Sequence, residues 1–219
     1  MWIKDLLRTS VASTLTLVLS ANFLLQSTGR AAASDSSLLE GAHGSLYLGH
    51  TSLQSTVRFP ALPTRAEAQF NDVGGNTIYG GGRLGYTLVY GDFLVGVDLA
   101  AKAAWEPYPT TILHAAGFNY ELSTKWESSV TARAGYIFGG RTAVYLAGGA
   151  SFSRLDLQLE GKDRSRNLFT PTFGFGAETA LNRSWALRLD WMADRSQLHS
   201  PLHVTLVRWN IVAGVVYRF

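Results

Sequence analysis

The stretch from Lys125 to Ser153 reads KWESSVTARAGYIFGGRTAVYLAGGASFS, and its side chains alternate in character with a period of two. Trp126, Ser128, Val130, Ala132, Ala134, Tyr136 and Phe138 fall on one face, while Lys125, Glu127, Ser129, Thr131, Arg133 and Gly135 fall on the other. The chain turns at Gly139-Gly140-Arg141 and leaves with Val144, Leu146, Gly148 and Ala150 on one side and Tyr145, Ala147 and Gly149 on the other. That period belongs to an extended strand and not to a helix. Two strands of about ten residues each are long enough to cross a bilayer as a hairpin, oily outside and small or charged inside.

The N-terminus reads as an export signal. Lys4 and Arg8 precede an uncharged, largely apolar run from Val11 to Leu25, and Ala31-Ala32-Ala33 supplies a small-residue cleavage site. We expect residues 1–33 to be removed, residues 34–43 to form a short periplasmic lead-in, and residues 44–219 to form one domain. Cleavage would take three basic and one acidic residue with it, leaving 16 basic against 15 acidic groups. The formal charge of the whole chain therefore says little about partners. No Lys/Arg cluster interleaved with aromatics is present, so nucleic acid is not an expected ligand. With no cysteine, a disulfide framework and a thiolate metal site are both excluded. Beyond the signal no apolar run is long enough for a spanning helix, so membrane insertion has to use strands.

The same alternation recurs along the chain. A first strand from Gly44 places Leu46 and Leu48 outward and Tyr47 and Gly49 inward. A second, from about Asn76 to Tyr90, carries Ile78, Leu84, Tyr86, Leu88 and Tyr90 on one face and Arg83 on the other. After Gly91-Asp92 a third shows Phe93, Val95, Val97, Leu99, Ala101, Ala103 and Trp105 opposite Gly96, Asp98, Lys102 and Glu106. The hairpin of the opening supplies the fourth and fifth. The sixth sets Phe169, Phe173, Phe175 and Ala177 against Thr170, Thr172, Gly174, Gly176 and Glu178, and the seventh sets Trp185, Leu187, Leu189 and Trp191 against Arg188, Asp190 and Asp194. The eighth ends at Phe219, with Val207, Trp209, Ile211, Ala213, Val215 and Tyr217 opposite Arg208, Asn210, Val212, Gly214 and Arg218.

Short connections at Gly91, Gly139 and Asn182 alternate with four longer ones, at about 58–75, 107–119, 156–167 and 196–203. The expectation is an all-β, eight-stranded antiparallel up-and-down transmembrane barrel with short periplasmic turns and longer extracellular loops. A soluble barrel of the same strand number would line its interior with the large aliphatics, and here the charges occupy that side. Tyr86, Tyr90, Phe93, Tyr136, Phe138, Trp185, Tyr217 and Phe219 gather beside the short turns and the C-terminus, where an interfacial girdle belongs. Trp105, Trp126 and Phe169 suit the opposite girdle.

The segments SSVTARAGYIFGG (128–140), YLAGGASF (145–152), GFGAETALNRSWALRLDW (174–191) and VAGVVYRF (212–219) resemble the opacity-protein and OmpA-like family of small eight-stranded outer-membrane barrels. The resemblance runs from about Gly75 to the end. It departs at Thr131, where the family more often has a basic residue ahead of the one matched by Arg133. It implies a Gram-negative outer-membrane location, and recognition of the C-terminal Phe219 by the barrel-assembly machinery.

The chemistry expected of the interior is ionic and structural. Arg83, Lys102, Lys125, Arg133, Arg188, Arg208 and Arg218 face Asp98, Glu106, Glu127, Glu178, Asp190 and Asp194, two sets that nearly cancel. An eight-stranded barrel is only wide enough for side chains to fill it, so these groups should pair across the lumen. Asp190 with Asp194 gives no separate acid/base pair. His199, Ser200 and His203 are the one local hint of a lipid-modifying nucleophile and base, with no partner acid. His43, His50, His114, His199 and His203 lack metal-ligand spacing and read as loop or rim residues, and no cofactor is called for. Gly80-Gly81-Gly82 and Gly148-Gly149 read as allowances for wall curvature. The expected role is a monomeric structural or surface-exposed envelope protein in contact with outer-membrane lipid and lipopolysaccharide. Arg154, Lys162, Arg164 and Arg166 are available to lipopolysaccharide phosphates. The alternatives are a narrow porin and an adhesin whose loops hold a host or matrix ligand.

Overall fold

The computed structural model describes residues 36–59, 68–104, 120–159, 162–199 and 203–219. Eight strands follow a short 3₁₀ helix, Ser36–Leu39: β1 Gly41–Phe59, β2 Ala68–Tyr90, β3 Phe93–Ala104, β4 Tyr120–Phe138, β5 Thr142–Leu159, β6 Lys162–Ala180, β7 Trp185–His199 and β8 His203–Arg218. Each strand pairs antiparallel with its neighbour in sequence, and β8 pairs with β1, so the sheet closes into a barrel. Closure leaves no open edge, the condition for putting a sheet into hydrocarbon, where unpaired N–H and C=O groups find no water.

Side-chain alternation decides which face points where. Along β3, Phe93, Val95, Val97 and Leu99 are exposed while Leu94, Gly96 and Asp98 between them are buried. The same division holds in β8, where Val215 and Tyr217 face out and Val216 and Arg218 face in. The result inverts a soluble protein: Leu46, Leu84, Leu146, Phe169 and Phe173 are exposed, and Asp98, Glu178 and Arg133 are buried.

The short turns follow from local chemistry. Gly91 (φ 61°), Gly139 (φ 57°) and Gly140 (φ 67°) take the left-handed conformations that tight hairpins need. At 181–184 the side-chain oxygen of Asn182 accepts hydrogen bonds from the backbone N–H groups of Ser184 (2.9 Å) and Trp185 (2.8 Å), which fixes the turn without glycine.

At the opposite end the strands reach beyond the bounds read from alternation. β1 and β2 stay paired out to Phe59↔Ala68, with a register shift between Ser55 and Val57, and β5 and β6 stay in register out to Leu159↔Lys162. The segments expected as loops at 58–75, 156–167 and 196–203 are therefore in large part strand. Backbone pairing does not need the apolar alternation that lipid contact imposes, so a hairpin continues above the bilayer after its side-chain signature has faded. Trp105, Glu106, His114 and Ser200 lie outside the described residues.

One seam stops early. β6 pairs with β7 only from Thr172↔Asp194 to Ala180↔Ala186, although β5–β6 and β7–β8 pairing both continue upward. The next residue of β6 is Pro171, which has no N–H to donate, and its pairing with Ala150 of β5 is intact. The missing donor thus falls on the β7 side.

The N-terminus also departs from expectation. β1 begins at Gly41, so His43 belongs to the barrel wall and not to a lead-in. It is 1% exposed, a lumen residue and not a rim histidine.

Candidate functional site

The lumen holds the chemistry, in two charge clusters stacked along the barrel. The cluster nearer the short turns is built around three carboxylates. Arg133 donates through Nη1 to Glu178 (2.6 Å) and through Nη2 to Thr87 (2.6 Å), and its Nε lies 3.5 Å from Asp98. Arg188 donates through Nη1 to Asp98 (2.9 Å) and through Nε to Asp190 (2.9 Å). Arg83 reaches Asp190 from β2 (2.9 Å), Tyr145 donates its hydroxyl to Asp190 (2.7 Å), and Arg218 pairs with Glu178. His43 Nε2 stands 2.9 Å from Asp98 and 3.3 Å from Arg133 Nη2.

Few of these contacts join neighbouring strands. Glu178 sits directly opposite Arg188 in the β6–β7 register, yet bonds to Arg133 of β4 and Arg218 of β8, while Arg188 reaches across to β3. The cluster therefore braces the cylinder across its width. Four guanidinium groups meet three carboxylates, so donors outnumber acceptors, and Arg218 Nε and Nη1 are buried without a hydrogen-bond partner.

The second cluster lies nearer the extracellular end. Lys102 pairs with Glu127 (2.9 Å), Arg208 donates to Glu127 (2.7 Å) and to Asp194 (2.7 Å), and Asn210 connects Asp194 (3.4 Å) to Thr51. Lys102 with Glu127 and Asp194 with Arg208 are direct register partners on adjacent strands. Arg208–Glu127, from β8 to β4, crosses the barrel. A cavity of about 60 Å³ is left among side chains that include Tyr47, Tyr79, Lys102, Glu127, Asp190 and Asp194. That is room for a few water molecules.

Arg83, Asp98, Arg133, Glu178, Arg188 and Asp190 lie in the first cluster, and Lys102, Glu127 and Arg208 in the second. Asp194 and Arg218 join them. Lys125 sits at a register shift between Thr124 and Glu127. Asp190 and Asp194 are each engaged by cations, which leaves neither as a free acid or base.

Three tyrosines in the lumen went unread as partners in this network. Tyr47 faces Gly81 across the β1–β2 ladder, Tyr79 faces Gly49, and Tyr145 lies between Gly135 and Gly176. A Cβ at Gly81 or Gly49 would run into the ring of its tyrosine, and one at Gly176 would come within 2.6 Å of Tyr145. These glycines therefore make space for rings lying flat along the wall, and Gly81 is not a curvature device. Each ring is covered by a cation: Arg83 over Tyr47 (5.3 Å), Lys102 over Tyr79 (4.7 Å), and Arg133 and Arg188 over Tyr145 (5.3 and 5.2 Å). The sequence did hold the signal, an inward tyrosine in register with a glycine.

On the outer wall, Tyr86, Tyr90, Phe93, Tyr136, Phe138, Trp185, Tyr217 and Phe219 are exposed around the end that carries the short turns. Several touch edge to face, with centroids 5.3 Å apart for Phe93–Tyr136, 4.9 Å for Trp185–Tyr217 and 5.5 Å for Tyr217–Phe219. Trp126, Phe152 and Phe169 are exposed nearer the opposite end, Phe152 and Phe169 in contact at 5.1 Å.

A closed sheet with oily residues outside, ion pairs inside and aromatics at its turn-bearing end defines a transmembrane β-barrel of the outer-membrane class. The model of the outer membrane protein beta-barrel domain matches residues 23–219, and the chain belongs to that family. It is similar in fold to Ail, the attachment invasion locus protein of Yersinia pestis, at 16% identity over 81% of this chain and 99% of that one, with a TM-score of 0.43. Neisserial surface protein A matches at 13% identity over 80% and 97%, with a TM-score of 0.44. The outer membrane protease OmpT from Escherichia coli matches at 8% identity over 82% and 97%, with a TM-score of 0.43. No curated protein matches the chain.

Proposed function

We propose that the protein is a non-enzymatic, structural and surface-exposed component of the outer membrane, monomeric, with a lumen closed to solutes. The observation that carries this reading is the pair of ion-pair clusters, which cross the interior at two levels with a cavity of about 60 Å³ among their side chains. A channel needs a continuous wet path. Here Arg133–Glu178 and Arg208–Glu127 span the bore at two levels, and parting such a buried pair leaves each charge uncompensated in a poorly hydrated space.

The outward partners follow from the wall. Its aliphatic band contacts acyl chains, the exposed Arg154 at the extracellular side suits the phosphates of lipopolysaccharide, and Phe219, 81% exposed at the C-terminus, is the residue offered to the barrel-assembly machinery. Planar-bilayer recording on refolded protein tests the closed lumen. The expected trace is silent, and steady conductance abolished or enlarged by Glu178→Gln would replace this reading with a narrow pore.

A further inference from the structure

Leu39 is only 1% exposed, although it precedes the first strand. It packs in a cluster with Leu94, Ile137, Ala143, Tyr145 and Ala180, with Leu38 and Val89 at its margin. Leu94, Ile137, Ala143 and Ala180 are inward residues beside the short turns, where the lumen is aliphatic. An apolar socket open to the periplasm would be wetted, and the Ser36–Leu39 helix covers it.

The chain enters this position through Gly41, whose φ of 107° is a backbone conformation that side chains rarely adopt. Nothing lies within 4 Å of where its Cβ would be, so the glycine serves the reversal of the chain and not a tight contact. Two bonds hold the reversal in place. His43 Nδ1 lies 3.3 Å from the Gly41 carbonyl, and Phe219 N–H donates to the Ala42 carbonyl at 3.1 Å. The same His43 ring touches Asp98 and Arg133, so the reversal is tied to the ionic lattice above it.

We propose that Ser36–Leu39 is a stopper that seals the periplasmic mouth, with Leu39 as its seat and Gly41 as its hinge. It keeps water from the lower charge cluster on the side where the wall has only short turns. This deepens the closed-lumen reading and rests on it, but makes the floor a second closure, apolar where the cross-lumen pairs are ionic.

The absence of cysteine from the chain makes the test direct. Ala143→Cys, beside Leu39, supplies a single thiol whose reaction with a membrane-impermeant maleimide is followed on folded protein in nanodiscs, where both faces are accessible. Labelling is expected to be slow, and at least about tenfold faster when Leu39→Ser or Gly41→Ala is added, with heat-modifiable mobility kept. Equal rates with and without these replacements, or fast labelling in their absence, overturn the proposal. Failure of both variants to fold also overturns it, because a stopper is dispensable to the wall. Bilayer conductance reads the whole bore and this thiol reads only the floor, so the two readings can fail separately.

Discussion

The two charge clusters do the same job by different wiring. In the lower one, each carboxylate is held by cations from strands that do not touch: Glu178 by β4 and β8, Asp190 by β2 and by Arg188 of its own strand, Asp98 by β4 and β7. In the upper one, Lys102–Glu127 and Arg208–Asp194 join register partners, and Arg208–Glu127 crosses the bore. Adjacent-strand pairs repeat a constraint the ladder already imposes. Cross-lumen pairs add one the ladder cannot supply, because they fix the cross-section of the cylinder.

The comparison breaks most sharply at Glu178. Glu178→Ala strands Arg133 and Arg218 in a cluster already short of acceptors, and should cost about 3–5 kcal/mol, measured as a lower urea midpoint of the refolded protein in lipid vesicles. A loss below that of Asp194→Ala would show that cross-lumen bracing does not dominate. Gly176→Ala should come next, at about 1–3 kcal/mol, since the added methyl meets both Tyr145 and Asp190. The same change at Gly148, where a Cβ meets nothing within 4 Å, should be close to neutral and sharpens the contrast. In the upper cluster Glu127→Gln removes the charge and keeps an acceptor oxygen for only one of Lys102 and Arg208, turning an NH2 toward the other, and should cost about 1–3 kcal/mol. The smallest effect is expected at Tyr136→Phe, which loses one exposed bond to Asp92 (3.2 Å) and should stay within about 0.5 kcal/mol.

The wall was legible in the sequence because lipid on one side and a filled bore on the other force a strict period of two. Val95, Asp98, Arg133, Glu178 and Trp185 could each be assigned a face from their neighbours alone. Pairing within the bore was not legible. Glu178 and Arg188 are cross-strand neighbours whose hydrogen bonds go elsewhere, and only the closed geometry puts Arg133 and Arg218 within reach of the same carboxylate. His43 was lost for a related reason: glycine on either side of it at Gly41 and Gly44 masks the start of the alternation, and a polar lead-in was read where a strand begins. The upper hairpins were misread as loops because no hydrocarbon disciplines their side chains there.

The early end of the β6–β7 ladder at Pro171 carries a consequence for how the molecule can change. Above that point β6 remains joined to β5 and β7 to β8, so the upper rim is open along this seam, like a collar cut at one place. Amide protons on either lip should exchange long before those lower down. Replacements in β6 and β7 above Pro171 should therefore leave the braced base undisturbed.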